Sequence, residues 1–197
     1  MKKLLLLFIV FASCKKEIYY YPSEEFFKKN NPKEINLDNL SFWEIKDSIY
    51  YELYRGNRLF IELENQRKIY KISPFTYMGG LIKEKNVLEI YQDSLWFFNK
   101  RQSINQLDKL IKIHYENNGK IPYLPDSHKR AFVKLTLEPE DNTEKLKAKL
   151  LYIVQVYNKA IIKNKDSIDL NIMLDYYFDK VDPPTIPSAP QPLIKEE

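Results

Sequence analysis

The chain has 197 residues, a length sufficient for one domain of ordinary size with flexible ends, and its formal net charge is +4. Its 31 basic and 27 acidic residues are nearly balanced, without a basic stripe, which argues against a nucleic-acid-binding protein. The 15 tyrosines and 11 phenylalanines, set against only 4 glycines, predict a packed body rather than a low-complexity chain.

The N-terminal residues have the pattern of an export signal. Lys2–Lys3 form a positively charged start, Leu4–Phe11 is an apolar run, and the small residues Ala12–Ser13 precede Cys14, the only cysteine. The apolar run would reach only about 12 Å as a helix, too short for a hydrocarbon core about 30 Å thick. We therefore expect residues 1–13 to be a cleaved signal peptide rather than a membrane span.

The run Phe11–Cys14 resembles the lipobox of bacterial lipoproteins, although Phe11 stands where that family usually has leucine. The resemblance implies cleavage before Cys14 and acylation of its sulfur and new amine by fatty acids such as palmitate. Membrane lipid would then be a partner through Cys14, and two or more acyl chains would hold the protein stably. Lys15, rather than aspartate, after the cysteine implies transfer to the outer membrane, on its periplasmic or its outer side.

Two other interpretations of this segment remain open. An ordinary signal peptide would leave a free thiol at Cys14, an odd cysteine in an oxidising compartment. A buried terminal strand would not need lysines on both sides of the apolar run. Under the lipoprotein interpretation no thiol remains for a disulfide, a metal site or a nucleophile, so packing alone must stabilise the fold.

Residues 14–39 are expected to be a lipid-anchored tether. Ser23, followed by two glutamates and then by lysines, predicts one or two helical turns inside it. The remainder is expected to behave as flexible coil that holds the folded body away from the lipid surface. The rings of Tyr19–Tyr21 suit the headgroup region, and they would equally suit covering part of the domain.

The next part of the chain shows signals of strands. Apolar residues alternate in 49–54 and 59–64, on either side of the turn Arg55–Asn57, and predict a β-hairpin. Further strand patterns at 69–72 and over 87–98 extend this prediction to a meander of antiparallel strands.

The period changes at Ser103. Amphipathic helices are predicted from Ser103 to Gly119 and from Asn142 to Ile161, and strands are predicted at 131–137 and 168–176. The sequence therefore predicts an α+β fold, with antiparallel hairpins first. A ββαβαβ-like unit follows, in which two amphipathic helices pack on one sheet face.

The element order over about residues 87–176 resembles the soluble periplasmic domain of the ExbD/TolR family. That family has an N-terminal transmembrane helix with an aspartate that couples to protons, whereas this chain has the predicted cleavable signal there. No residue is carried over from the family, and no proton-driven role is implied. We expect one α+β domain over 40–180, strand-rich over 40–98 and built of helices and strands over 99–180.

Residues 181–197 differ in composition from the rest of the chain. Five prolines stand within 183–192, which disfavours helix and sheet and favours an extended polyproline-like segment. We expect a Pro-rich disordered tail, with a role as a ligand for a partner as the alternative.

Candidate catalytic groups are few. Asp126, Ser127 and His128 are adjacent and suggest a catalytic triad, but triad members are brought together by the fold, and a polar turn explains them better. The other histidine, His114, is predicted to lie near the end of the first of these helices and to face the protein core. Glu138, with Glu140 and Asp141 beside it, could do acid–base chemistry, although acids also favour the start of the helix that follows. No zinc, phosphate-loop or calcium pattern is present, so we predict no catalytic, cofactor-binding or metal-binding residue.

The functional hypothesis is a lipid-anchored, non-catalytic interaction module that uses surface aromatic residues to bind an unknown protein or glycan, and no nucleic acid. The first alternative is a hydrolase of an envelope polymer, which needs two carboxylates about 5–10 Å apart across a cleft. The second alternative is an immunity or accessory lipoprotein for a toxin or an ExbD/TolR-like transport complex.

Overall fold

The computed structural model describes residues 16–97, 100–161 and 168–176. The predicted signal peptide, Cys14 and the Pro-rich tail lie outside these residues. The helices are α1 Glu24–Asn30, α2 Phe42–Tyr54, α3 Leu107–Glu116 and α4 Thr143–Ala160. The strands are β1 Glu17–Tyr21, β2 Lys33–Glu34, β3 Leu59–Asn65, β4 Lys68–Ile72, β5 Phe75–Thr76, β6 Val87–Tyr91, β7 Ser94–Phe97, β8 Lys100–Ser103, β9 Phe132–Leu137 and β10 Ile172–Tyr176. The predicted α+β class is confirmed.

A four-stranded sheet with the order β1-β4-β3-β2 holds the first part of the described chain. Only β3 and β4 form an antiparallel hairpin, while β1 pairs parallel to β4 and β2 parallel to β3. The helix α1 packs on one side of this sheet, where the ring of Phe27 contacts those of Tyr20 and Phe60. The predicted antiparallel meander is therefore corrected to a mixed sheet.

The predicted flexible tether is wrong from Glu17 onward. The strand β1 pairs with β4 along its whole length, with Tyr19 opposite Tyr70 and Tyr21 opposite Ile72. Tyr19 and Tyr21 alternate toward the core, and the ring of Tyr19 stacks on Tyr70 at 5.3 Å between centroids. The buried ring of Tyr21 and the partly buried ring of Tyr19 supply the apolar contact that orders the segment. The short helix predicted after Ser23 is confirmed as α1, with the Ser23 hydroxyl accepting a hydrogen bond from the Phe26 amide.

The hairpin predicted over residues 49–64 is also wrong in its first half, because residues 42–54 form the helix α2. The helix starts where the Glu44 carboxylate accepts hydrogen bonds from the Ser41 amide at 2.8 Å and from its hydroxyl at 2.7 Å. Phe42, Ile45 and Ile49 recur at helical spacing and are buried. The second half of that prediction, the strand β3 and the turn into β4, is confirmed.

A six-stranded sheet with the order β5-β10-β9-β6-β7-β8 holds most of the remaining strands. The four strands β5, β10, β9 and β6 are parallel, and β6-β7-β8 are antiparallel. Helices α3 and α4 lie in the connections between parallel strands and pack against each other. One face of the sheet is made of buried aliphatic residues that pair across the central strands: Leu88, Ile90, Val133, Leu135, Ile172 and Leu174.

Two elements begin four residues later than the sequence predicted. The helix α3 begins at Leu107, after a short 3-10 turn at 104–106 whose start the Ser103 hydroxyl caps. The strand β10 begins at Ile172 rather than at 168. Among the described residues, we find no helix with the length and apolar character needed to cross a membrane.

Candidate functional site

The outer side of α2 carries an exposed aromatic surface. Trp43, Tyr50 and Tyr54 stand seven and four residues apart, which places them on one side of a helix, and Tyr51 lies beside them. Their exposed fractions are 48% for Trp43, 37% for Tyr50, 59% for Tyr51 and 76% for Tyr54. A helix that is apolar on its outer side as well as on its core side is unusual unless something else packs there. We call Trp43, Tyr50, Tyr51 and Tyr54 the α2 aromatic surface.

Further apolar residues are exposed just after the strand β5. The strand β5, against which α2 packs, is followed by Tyr77, Met78 and Leu81, all exposed. Leu81 is 90% exposed, which is high for a large aliphatic side chain. The chain after β5 thus adds exposed apolar residues next to a strand that contacts α2.

Tyr176, the last residue of β10, is packed against the inner flank of α2. Its hydroxyl lies 2.7 Å from the Asp47 carboxylate and 3.1 Å from the Trp43 carbonyl. The Lys46 ammonium stands 3.8 Å from the centre of the Tyr176 ring. Burial, reinforced by the hydrogen bond to Asp47, raises the pKa of Tyr176, so the hydroxyl stays protonated.

The charged side chains of α2 therefore have partners. Asp47 and Lys46 contact Tyr176, Glu44 accepts hydrogen bonds from Ser41, and Glu52 is bonded to Asn57 and Arg55. What α2 offers to another molecule is a set of uncharged rings held on a rigid helix. The sequence predicted aromatic contact residues in general, but it missed this surface, because residues 49–54 were predicted as a strand. The capping pair Ser41 and Glu44 is the signal that would have identified the helix.

The face of the six-stranded sheet opposite its buried aliphatic face carries a row of paired residues, one from each strand: Phe75, Met173, Lys134, Glu89, Trp96 and Arg101. At its centre the Lys134 ammonium lies 2.8 Å from Glu89 and 3.8 Å from Asp175. The Thr136 hydroxyl also donates to Glu89, at 2.9 Å. These acids are neutralised by neighbours, an arrangement typical of a structural network rather than of an acid–base pair.

A cavity of about 390 Å³ opens beside β1. Its walls include the tyrosines of β1 together with Tyr157, and its carboxylates are Glu24, Glu25 and Asp169. Glu24 is bound by Lys28 at 2.7 Å. The volume lies within the range of small-molecule sites. Glu138, Glu140 and Asp141 do not line it.

The adjacent Asp126, Ser127 and His128 lie at a polar turn and not in a triad arrangement. The Asp126 carboxylate binds Lys85 at 2.7 Å and Arg130 at 3.3 Å, and Lys85 is the main cause of its lowered pKa. An aspartate that orients a catalytic histidine must instead accept a hydrogen bond from the imidazole. The turn interpretation is therefore the one that the contacts favour.

Glu138 and Asp141 also have local partners. The Tyr91 hydroxyl donates to Glu138 at 2.6 Å. Asp141 accepts the Glu138 amide at 3.0 Å and binds Lys145 at 2.8 Å. These contacts shape the turn that leads into α4, as expected for acids before a helix.

His114 is fully buried on α3, and its Nε2 lies 3.1 Å from the Asn86 carbonyl. Burial lowers its pKa from 6.5 to about 4, against the opposing effect of hydrogen bonds to the backbone of Asn86 and Phe132. The imidazole is neutral at pH 7 in the folded protein, and its place among Phe97 and Tyr115 is that of a core residue.

Acidification is expected to destabilise the fold through His114. The folded-state pKa lies below the unfolded value near 6.5, so the contribution is complete above pH 6.5 and is lost as the pH falls toward 4. The full effect is roughly 3 kcal/mol, most of it between pH 6.5 and 4.5. Urea unfolding at several pH values should show this loss in the wild type and in His128→Gln. It should be largely absent in His114→Gln, and an unchanged pH slope in that variant would contradict the assignment.

No group of three or more histidine, cysteine or acidic side chains within 16–97, 100–161 and 168–176 is arranged to hold a metal ion. The predicted lipidation residue, Cys14, lies outside the described residues, two positions before the lysine that precedes β1. No family model, no curated protein and no solved structure matches this chain.

Proposed function

We propose that this protein is a non-catalytic interaction module, anchored by lipid at Cys14 to the outer membrane, that binds a protein partner through the α2 aromatic surface. The observation that supports this proposal most is the exposure of four aromatic side chains on one helix. Tryptophan and tyrosine are enriched among the residues that contribute most to binding, and contiguous exposed apolar patches mark interaction sites.

The rigidity of α2 suits this role. Phe42, Ile45 and Ile49 fix its inner side in the core, and its start is capped. The outer rings therefore lose little freedom on binding, because the helix that carries them is already ordered.

A protein partner is favoured over a glycan. Sugar rings stack on aromatic side chains but also need polar groups to bind their hydroxyls, and the charged groups of α2 are already bonded to neighbours such as Tyr176. An apolar or ring-containing stretch of polypeptide makes no such demand. Uncharged rings on a helix match the helix-face and groove modes of protein recognition.

The position of β1 bears on the anchor. Since β1 begins at Glu17, only Lys15 and Lys16 separate the proposed lipid-bearing Cys14 from the folded body. An acylated protein would hold its four-stranded sheet close to the lipid, without the long spacer that the sequence suggested. Partners within the same membrane, or at its surface, would be within reach.

Site-specific photocrosslinking tests the binding surface. A benzophenone amino acid placed at position 54 of the full-length protein in its own cells is expected to give one discrete protein adduct. The same group at Tyr123, which is 60% exposed and lies outside α2, serves as the control. The Trp43→Ala exchange is expected to reduce the adduct at position 54 by about tenfold, as for a residue that contributes 1–2 kcal/mol.

Two outcomes would contradict the proposal. One is equal crosslinking from positions 54 and 123, insensitive to Trp43→Ala, which would make the contact non-specific. The other is an adduct that glycosidases remove but proteases do not, which would replace the protein partner by a glycan.

The hydrolase alternative has one observation in its favour, since the cavity beside β1 combines carboxylates from α1 and from the segment before β10. Release of soluble sugars from purified envelope polymer by the wild type, abolished in both Glu25→Gln and Asp169→Asn, would support it. No release by the folded wild-type protein would exclude it.

A further inference from the structure

The Pro-rich tail continues from a strand that ends on α2. Tyr176 is held there by its contacts with Asp47, Lys46 and the Trp43 carbonyl. Seven residues separate Tyr176 from Pro184, the second proline of the pair that opens the tail. The last described residue before the tail, Tyr176, therefore lies beside the N-terminal half of α2, the helix that carries the α2 aromatic surface.

We infer that residues 183–192 of the tail bind the α2 aromatic surface of the same chain. This inference rests on the proposed function in treating that surface as a binding site, and it names a partner for it within the molecule. An extended chain covers about 3.3 Å per residue, so Pro184 can lie up to about 26 Å from Tyr176. The surface from Trp43 to Tyr54 is about 16 Å long at a helical rise of 1.5 Å. The tail can thus cover it without strain.

The spacing of the prolines matches the spacing of the rings. Pro184, Pro187 and Pro190 stand three residues apart, and a polyproline helix places every third residue on one edge, about 9 Å apart. Along α2, Trp43 and Tyr50 are about 10 Å apart, and Trp43 and Tyr54 are about 16 Å apart. Two successive prolines can therefore lie against Trp43 and Tyr50, and the outer pair, Pro184 and Pro190, about 18 Å apart, roughly spans the distance from Trp43 to Tyr54.

The tail and the α2 aromatic surface are also matched in their lack of available charge. Residues 183–194 contain no charged side chain, and the charged groups of α2 have partners already. Proline-rich segments bind aromatic-lined surfaces because the polyproline conformation is already extended and loses little entropy on binding. A short connection also gives an effective concentration in the millimolar range, so a contact too weak to form between separate molecules would be well populated within one chain.

The consequence is regulation of the binding surface. While the tail is bound, Trp43 is shielded, and a partner must displace the tail or bind beside it. The apparent affinity of the surface for a partner is lowered by the fraction of molecules with the tail bound. Loss of the tail would raise that affinity.

Fluorescence of Trp43 provides the test. The chain has two tryptophans, so Trp96→Phe in the full-length protein leaves Trp43 as the single reporter. Replacing Pro184, Pro187 and Pro190 together by alanine is expected to increase acrylamide quenching of Trp43 at least about twofold, because the residue becomes accessible. In the Trp96→Phe protein with its prolines unchanged, acrylamide quenching of Trp43 should not depend on protein concentration, as required for a contact within one chain. Tyr123→Ala, outside the surface, is the matched control and should leave quenching unchanged.

A synthetic peptide of residues 181–194 provides the second arm. It is expected to restore protection of Trp43 in the triple-proline variant, and to lose that ability when Tyr54→Ala is added. Unchanged quenching in the triple-proline variant would overturn the inference, as would peptide protection that is insensitive to Tyr54→Ala. Quenching that changes with protein concentration would place the tail on a second molecule and would also overturn it.

The quenching test of the tail contact and the crosslinking test of the proposed function can fail independently of each other. Crosslinking at position 54 that persists in the triple-proline variant, with no change in Trp43 quenching, would remove the tail contact and leave the interaction role intact. Tail-dependent quenching without any partner adduct would do the reverse.

Discussion

Phe42→Ala is expected to lower the free energy of unfolding by about 3–5 kcal/mol, and Trp43→Ala by less than about 1 kcal/mol. The two aromatic residues are neighbours in sequence but lie on opposite sides of α2. Phe42 is fully buried and meets the Tyr176 ring edge to face at 6.0 Å between centroids, so alanine would leave a cavity in the core. Trp43 is half exposed, so its removal gives up little buried area.

Urea unfolding followed by circular dichroism measures both values, with Tyr54→Ala as a second surface variant. Similar slopes with denaturant in the three variants would show that the comparison is one of stability alone. If Trp43→Ala were as costly as Phe42→Ala, the outer side of α2 would be covered within the fold. The α2 aromatic surface would then not be available to any partner.

The second half of the fold was accessible to sequence reasoning because its signals agree with each other. In α4, Asn142 caps the first turn by accepting the Lys145 amide at 2.9 Å, and Leu146, Leu150 and Ile153 follow at helical spacing and are buried. The strand β9 alternates apolar and polar residues between two turns. Local propensity and tertiary environment point to the same structure there.

The helix α2 was mispredicted because it carries apolar side chains on its outer side as well as on its core side. Ile49, Tyr51 and Leu53 alternate with polar or aromatic neighbours, which imitates a strand when the window is short. In the fold, Ile49 faces the core and Tyr51 faces solvent. A strand would instead place both residues on the same face. The exposed rings that make this a candidate site are the same residues that blurred the helical period.

The strand β1 was missed for a different reason. Three consecutive tyrosines show no alternation in sequence, so nothing local separates Tyr19 and Tyr21, on the core face, from Tyr20, which packs against Phe27 of α1 on the other face. Their assignment comes from β4, which lies about 50 residues away in sequence and supplies Tyr70 as the stacking partner. Pairing between distant strands is decided by the tertiary fold and is beyond the scope of a local pattern.

The kind of surface was anticipated, whereas its place was not. Aromatic abundance predicts that some rings remain outside, because a chain of this size cannot bury all of them. Which rings remain exposed depends on how α2 sits against β5 and β10. The contacts of Tyr176 with Asp47 and Lys46 set that orientation, and they join residues about 130 positions apart.

Cys14→Ala is expected to remove the protein from the membrane. If the sulfur and the new amine carry the acyl chains, the variant can accept none of them, and each buried methylene lost costs about 0.8 kcal/mol of membrane affinity. The wild-type chain isolated from membranes should begin at Cys14 and carry a fatty acyl mass in intact-protein mass spectrometry. The variant should lack that mass and should be extracted from membranes by a carbonate wash.

The matched control is Lys15→Ala, which changes the next residue and leaves the sulfur in place. It should retain the acyl mass and the membrane fraction, although it replaces the residue whose identity implies transport to the outer membrane. A mature wild-type chain that begins elsewhere, or one that carries no acyl group, would contradict the anchor. The α2 aromatic surface would remain exposed in that case, because its geometry depends on Phe42, Ile45 and Tyr176 and not on the lipid.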